Sequence, residues 1–340
     1  MNINAAFYKK SEQPLRMCIF LSFNGVATMV GALLSFGLGH ATHAAIKPWK
    51  LIFLTIGLLN FCWSIIFTWF CPSTPADARF FNEKEKAIAV ERVAHNYQGL
   101  KNDKLQFHQI KEAAMDLHCW FYALVGMGVG VVNGGSSNFQ SALLKGFGFS
   151  GISTTILQLP TGAIEWVVVT AAGIIAIFFK NSRSILLFLT CVPGTAGLIG
   201  IHVIPLTHKW ALVGCTWLQY IVGGPVILSW ILLNANVAGQ TKRTITNGMW
   251  FAFYAAGNII GANIFYTNEA PKYKSGIIGL LTSYCGVMFL TIFYGIGLIW
   301  QNKRRDAKYG KVEGEAEEEA IINGFKDLTD RENTGFRYCL

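Results

Sequence analysis

Residues 51–70 read LIFLTIGLLNFCWSIIFTWF and contain no charged side chain. One α-helix needs roughly 20 consecutive apolar residues to cross a bilayer core about 30 Å thick. Inside hydrocarbon such a helix is stable because it satisfies its backbone N–H and C=O groups within the segment. The stretch therefore predicts a transmembrane helix.

The same pattern recurs along the 340-residue chain. Hydrophobic residues make up 52% of it and charged residues only 14%, and the mean hydropathy is +0.40. Soluble domains carry roughly 25% charged residues, so the composition excludes an ordinary soluble protein. We predict an all-α membrane protein with eight spans, whose approximate bounds are 17–39, 50–71, 119–143, 156–179, 184–205, 210–233, 248–266 and 277–300.

The connections between the spans carry an uneven positive charge. If the N-terminus is cytosolic, 22 of the 28 Lys and Arg residues fall in inside connections and 6 in outside connections. Because Lys and Arg concentrate on the cytosolic side, we expect both termini in the cytosol, and we take the plasma membrane as the location. This topology also explains the net charge of +9, so the implied partner is the lipid bilayer and not nucleic acid.

The longest inside connection separates two spans from six. The chain thus divides into an N-terminal transmembrane region, a cytosolic central loop, a six-span region and a cytosolic tail, at 1–71, 72–118, 119–300 and 301–340. In the loop, Asn82 followed by Glu85 predicts a capping box at the start of an amphipathic helix that reaches Asn96. In the tail, the acidic stretch 313–319 is expected to be solvated and disordered.

Sequence signatures of enzymes and metal sites are absent. The close histidine pair, His40 and His43, has no nearby carboxylate or thiolate that would complete a metal site. The chain contains no P-loop, no G-x-S-x-G and no H-E-x-x-H motif. We therefore expect no enzyme activity, no metal and no cofactor.

Nine short motifs, in order along nearly the whole chain, resemble the fungal allantoate permease family, the anion:cation symporter branch of the major facilitator superfamily. They are FYKKSEQPLR with FNG at 23–25, SFGLG at 35–39, NEKEKAIAVERV at 82–93, NGGSSNFQSALLKGFGFS at 133–150, LQLPTGA at 157–163, NVAGQTKR at 236–243, YAAGNIIGANIF at 254–265, NEAPKY at 268–273 and NKRRD at 302–306. The terminal TDRENTGFRYCL is similar to the end of that family's sequences. The facilitator loop pattern of Gly, Asp and paired Arg is reduced here to Lys180-Asn181-Ser182-Arg183.

This resemblance implies a partial major facilitator fold, with the last two spans of the first half and a complete six-span second half. Four spans would then be missing ahead of Met1, and we expect the 340 residues alone not to transport. For the whole protein the resemblance implies proton-coupled symport of a small organic anion, such as allantoate, a vitamin or a related carboxylate. The alternative is a truncated, non-transporting membrane protein or interaction partner, and the span count upstream of Met1 would decide.

Glu165 is the one carboxylate deep inside a predicted span. It lies about nine residues into the 156–179 span, near the middle of the bilayer. An ionised carboxylate there costs roughly 2.5–3.5 kcal/mol, so Glu165 is a candidate for binding the coupled proton. The other interpretation is a structural carboxylate that faces water or pairs with Lys145.

Amide side chains supply the candidate substrate contacts. Asn133, Asn138, Gln158 and Asn258 lie within predicted spans, where an amide facing lipid would be unfavourable. The glycines around Asn133 also indicate a weakened helix, and broken transporter helices expose backbone groups to substrate. For each amide singly, however, hydrogen bonding between helices without a ligand is the more frequent role. No Lys or Arg lies in the middle of a span, so the cationic partner of an anion is expected outside this chain.

Two further glycine motifs are expected to shape the helices. Gly223-Gly224-Pro225 predicts a kink in the 210–233 span, where a gating hinge is one interpretation. Gly257 and Gly261 form a small-xxx-small pattern that favours close helix packing.

The charge bias predicts a definite labelling pattern. A cysteine introduced near Pro271 should react with an impermeant thiol reagent applied from outside, because that connection is expected to be external. One introduced near Lys242 should not react from that side. The reverse pattern in intact cells would contradict the orientation.

Overall fold

The computed structural model describes residues 7–8, 13–41, 46–72, 77–94, 105–179, 182–310 and 327–340. The acidic stretch 313–319, His43, Lys180, Asn181 and Asn96 lie outside the described residues. The described helices, numbered α1 to α12, are Gln13–Gly39, Pro48–Phe70, Glu83–Ala94, Phe107–Met115, Leu117–Gly146, Gly151–Ile156, Leu159–Phe178, Arg183–Val203, Lys209–Gln219, Gly223–Asn236, Gln240–Asn263 and Lys274–Tyr309.

The described chain is all α-helical apart from its connections, which confirms the predicted fold class. Within the described ranges, seven spans are long and apolar enough to cross a membrane, counting α6 with α7 and α9 with α10. The helix at the predicted eighth span, α11, falls short in hydropathy, and Asn247, Asn258 and Asn263 contribute to this. The expected bounds of the spans agree with the helices to within a few residues at most ends, while α12 continues to Tyr309.

Helix α11 runs parallel to α5 and in close contact with it. Gly130 of α5 lies against the carbonyl group of Tyr254, and Gly134, one turn later, lies against that of Asn258. On the other side of the same contact, Gly257 and Gly261 lie against the backbone of α5. The predicted packing role of the Gly257–Gly261 pattern is confirmed. Because α11 follows a membrane-crossing helix turn by turn, it occupies the same depth.

Helix α5 is continuous, so the prediction that its glycines would interrupt the helix is wrong. Gly126, Gly130 and Gly134 accommodate the backbone of α11 instead of breaking α5, since each lacks the Cβ that would collide with it. Gly128 lies against Val287 of α12. The interruption lies in the 210–233 span, where α9 ends at Gln219 and α10 begins at Gly223. The distortion predicted at Gly223-Gly224-Pro225 is confirmed, since the helix is broken just before this motif.

Helices α1 and α7 run antiparallel through a second glycine contact. Gly25 and Gly162 face each other so closely that each would place a Cβ on the other's carbonyl oxygen, and Cys18 packs on Gly173. The start of α1 is therefore near the end of α7. At the start of α8, the Arg183 N–H donates to the Leu340 oxygen at 2.8 Å. Both ends of the described chain thus lie at one end of the bundle, while its orientation in the membrane stays a prediction.

We call that end of the bundle the terminal face and define it by Asp116, Asn236, Lys242 and Arg305, on which residues 327–340 lie. The expectation that Lys242 and Arg243 lie in a loop is wrong, because α11 already begins at Gln240. Lys242 is also completely buried, so it cannot serve as a labelling position, and the exposed Arg304 replaces it. In the central loop, the Asn82 N–H donates to the Glu85 carboxylate at 2.8 Å, one of the two bonds of the predicted capping box.

The α5–α11 contact predicts a position-specific effect of a single methyl group. Gly257→Ala should lower the free energy of unfolding by about 1–3 kcal/mol, because the new Cβ overlaps the carbonyl oxygen of Met127. Gly248→Ala on the same helix is the matched control, since nothing lies within 4 Å of its added Cβ. Thermal denaturation in detergent measures both variants. Equal melting temperatures for the two would show that the glycine contact does not hold these helices together.

Candidate functional site

Glu165 is buried on α7, with 4% of its surface exposed. Its Oε1 accepts a hydrogen bond from the Asn24 side chain of α1 at 3.2 Å, across the antiparallel α1–α7 contact. Its Oε2 has no hydrogen-bond partner among the described residues. The proposed pairing with Lys145 is wrong, since Lys145 is exposed on the last turn of α5 and the partner of Glu165 is Asn24.

The carboxylate of Glu165 lies at the interrupted span. It packs on Gly223, the first residue of α10, where an added Cβ would overlap Oε1. A helix N-terminus carries unsatisfied N–H groups and a partial positive charge, which favour a nearby carboxylate. Tyr220 lies in the break itself, and its hydroxyl group is 3.4 Å from that of Ser137. The break therefore brings a buried acid and a helix end together.

Gln219, the last residue of α9, leaves a second polar atom unpartnered beside this break. Its Oε1 accepts from the Ser136 hydroxyl at 3.0 Å, and its backbone oxygen accepts from the Tyr284 hydroxyl at 3.1 Å. Its Nε2 is buried without a hydrogen-bond partner in the described chain. An unpartnered buried amide donor is unfavourable, so a small polar ligand or a water molecule would be stabilised here.

The four candidate amides do not form one cluster. Asn133 donates to Asn258 at 2.8 Å, and Asn258 in turn donates to the Tyr254 carbonyl of its own helix at 2.8 Å. Asn138 donates to the Gly134 carbonyl, one turn back on α5, at 2.7 Å. Gln158 donates to the Ser141 hydroxyl at 2.6 Å. The structure thus brings Asn133 and Asn258 together and places Asn138 and Gln158 in separate contacts.

A buried charge cluster on the terminal face was not found from the sequence. The ammonium group of Lys242 is 2.8 Å from Glu112, 2.5 Å from Asp116 and 2.7 Å from Asp330. Arg331 contacts the other oxygen of Asp116 at 3.0 Å. Burial alone would raise the pKa of the Asp116 carboxyl, but the Lys242 ammonium lowers that pKa below its ordinary value. Lys242 and Asp116 therefore form an ion pair, and Glu112 and Asp330 contact the same ammonium group.

The three carboxylates of this cluster resemble a cation site in their spacing, with candidate ligand atoms within 4.8 Å of one another. The ammonium group of Lys242 already occupies the space between them, so a metal ion would have to displace it. The sequence signal for the cluster was the charged and aromatic terminal motif, but nothing in the sequence pairs Asp330 with a lysine 88 residues away.

Comparisons with known proteins agree with this architecture. The sequence profile of the Major Facilitator Superfamily matches residues 1–262. Two uncharacterized transporters of Schizosaccharomyces pombe are 35% and 38% identical to the chain, and the allantoate permease of Saccharomyces cerevisiae is 32% identical. Each match covers 99% of this chain, and the chain spans 64%, 63% and 63% of the length of these relatives.

Proposed function

The chain belongs to the Major Facilitator Superfamily, and on that premise we propose that it forms part of a secondary transporter that moves a small organic anion together with protons. Its relatives are membrane transporters, and one of them is an allantoate permease. We further propose that the chain belongs to the allantoate permease branch, that it lies in the plasma membrane and that both termini are in the cytosol. The positive charge of the inside connections supports the last of these.

The buried Glu165 carboxylate is the observation that carries proton coupling. A carboxylate with one unpartnered oxygen, away from water, is unfavourable in its ionised form. No Lys, Arg or His of the described chain forms an ion pair with it that would stabilise the charge. Binding a proton removes the charge, so the protonated form suits the packed arrangement. Ionisation in turn favours an arrangement that admits water.

The contacts of Glu165 link protonation to helix movement. Its donor, Asn24, is on α1, which the resemblance assigns to the first half of a facilitator, while α7 belongs to the second half. Asn24 is exposed although it is bonded to a buried group, so it lies between Glu165 and the surroundings of the bundle. Separation of α1 from α7 would break this bond and open a path for water to the carboxylate.

For the substrate we propose the polar surface around Asn133 and Asn258. Both side chains are half-buried, and amides can donate to the carboxylate or ureido groups of a small anion. Asn138 and Gln158 are retained as proposed contacts further along the same helix and at the start of α7. The cationic group that would balance the anion is proposed to lie outside this chain, because the described spans offer none at that depth.

We expect Glu165→Gln to abolish proton-driven accumulation and to leave some downhill exchange. Glutamine keeps the size and the hydrogen bond to Asn24 but cannot bind or release a proton. The variant is made in a chimera that joins this chain to the part of the 35%-identical Schizosaccharomyces pombe transporter that lies outside the match. Uptake of labelled allantoate and other small organic anions is measured with and without an imposed pH gradient.

The exposed surface carboxylate Glu83 supplies the matched control, and Glu83→Gln should accumulate substrate normally. Gly223→Ala is a second probe of the same site, because its Cβ displaces the Glu165 carboxylate without changing its chemistry. It should weaken accumulation while uptake remains dependent on pH. Normal expression of Glu165→Gln with unaltered pH dependence would remove Glu165 from the coupling mechanism.

A further inference from the structure

The C-terminal segment 327–340 is bound to the terminal face by two asparagines that each hold one residue of its backbone. Asn302 donates to the Tyr338 carbonyl at 2.8 Å and accepts from the Tyr338 N–H at 2.9 Å. Asn236 bonds the neighbouring residue in the same way, at 2.9 Å to the Cys339 carbonyl and 2.7 Å from its N–H. Both main-chain groups of two successive residues are thus satisfied by side chains of α12 and α10.

Such paired contacts are a mode of peptide recognition, because main-chain hydrogen bonds provide affinity and side-chain pockets provide specificity. The specificity here comes from Tyr338, which is buried. Its ring stacks on His118 with centroids 4.8 Å apart, and its hydroxyl donates to Asp330 at 2.9 Å. Arg305 of α12 fixes the preceding turn by donating to the carbonyl groups of Asp330, Asn333 and Phe336.

The charges of the segment complement those of the terminal face. Without residues 327–340, the buried Lys242 faces the two carboxylates of Glu112 and Asp116. The segment adds Asp330 on Lys242 and Arg331 on Asp116, so it contributes one charge of each sign. A peptide without Asp330 would remove one partner of the buried Lys242 ammonium group, and breaking a buried ion pair in this way is strongly unfavourable.

We propose that the terminal face is a peptide-binding site whose ligand is the chain's own segment 327–340, which docks and releases as one unit. Its contacts are polar side-chain bonds, the Lys242 cluster, an ion pair of Arg337 with Asp306, the buried Tyr338 ring and the half-buried Phe336 and Leu340. The segment itself contains no helix. When docked, it joins the start of α5, the end of α10, the start of α11 and the end of α12. Release frees these helix ends to separate.

The native Cys339 reports this equilibrium, because its backbone is held by Asn236 and its side chain is half-buried. Its rate of labelling is measured with an impermeant maleimide on open membrane fragments of the full chain carrying Cys71→Ser. A synthetic peptide of residues 327–340 with Cys339→Ser is then added in excess. It should raise the rate several-fold by taking the place of the released segment. The same peptide with Asp330→Asn and Tyr338→Ala should have no effect.

Substitutions in the full chain test the charge contribution independently. Asp330→Asn should raise the Cys339 labelling rate about tenfold, because it removes one partner of a buried ion pair. Lys111→Gln, on the exposed side of the helix that carries Glu112, should leave the rate unchanged. If saturating peptide leaves the wild-type rate unchanged while mild denaturant raises it, the segment is a permanent part of the fold and the proposal is wrong. A peptide effect that survives both substitutions in the peptide would also overturn it.

Discussion

The close approach of helix backbones at glycine is the constraint on which the rest of this structure depends. In a bilayer there is no hydrophobic force to drive helices together, so their association relies on packing and on hydrogen bonds between them. The parallel contact of α5 with α11 brings Asn133 and Asn258 within 2.8 Å of each other. It also aligns the starts of both helices, so that Asp116 meets Lys242. The antiparallel contact of α1 with α7 brings the Asn24 side chain within hydrogen-bond distance of Glu165.

Features that depend on neighbouring residues were predictable from the sequence. The spans follow from local apolar runs, the close packing of α11 from the spacing of Gly257 and Gly261, and the break near Gly223 from a Gly-Gly-Pro motif. The wrong prediction of an interrupted α5 also has a local cause, because glycines weaken an isolated helix but also permit close packing. Which of the two effects wins depends on the neighbouring helix, and that neighbour is 125 residues away at Asn258.

Partners distant in sequence were beyond this kind of reasoning. Burial of Glu165 followed from its position in a span, but its donor Asn24 is 141 residues earlier. Lys242 was placed in a loop because it lies between the predicted 210–233 and 248–266 spans. Its burial is stabilised by carboxylates from α4, from the start of α5 and from the C-terminal segment. Three such partners cannot be assigned from one sequence, although the terminal motif contains one of them.

The buried groups Lys242 and Glu165 differ in how completely they are partnered, and that difference supports a fixed charge for the first and the proposed proton exchange for the second. Lys242 is held by three carboxylates, so losing its proton would leave an excess of negative charge in a buried place. Lys242 therefore stays protonated, and the cluster changes only when one of its charged partners moves away. Glu165 has one amide donor, and its second oxygen has no hydrogen-bond partner among the described residues. The protein therefore fully stabilises neither its ionised nor its protonated form. A group that must change protonation in each cycle requires that imbalance, because a fully paired carboxylate would stay ionised throughout.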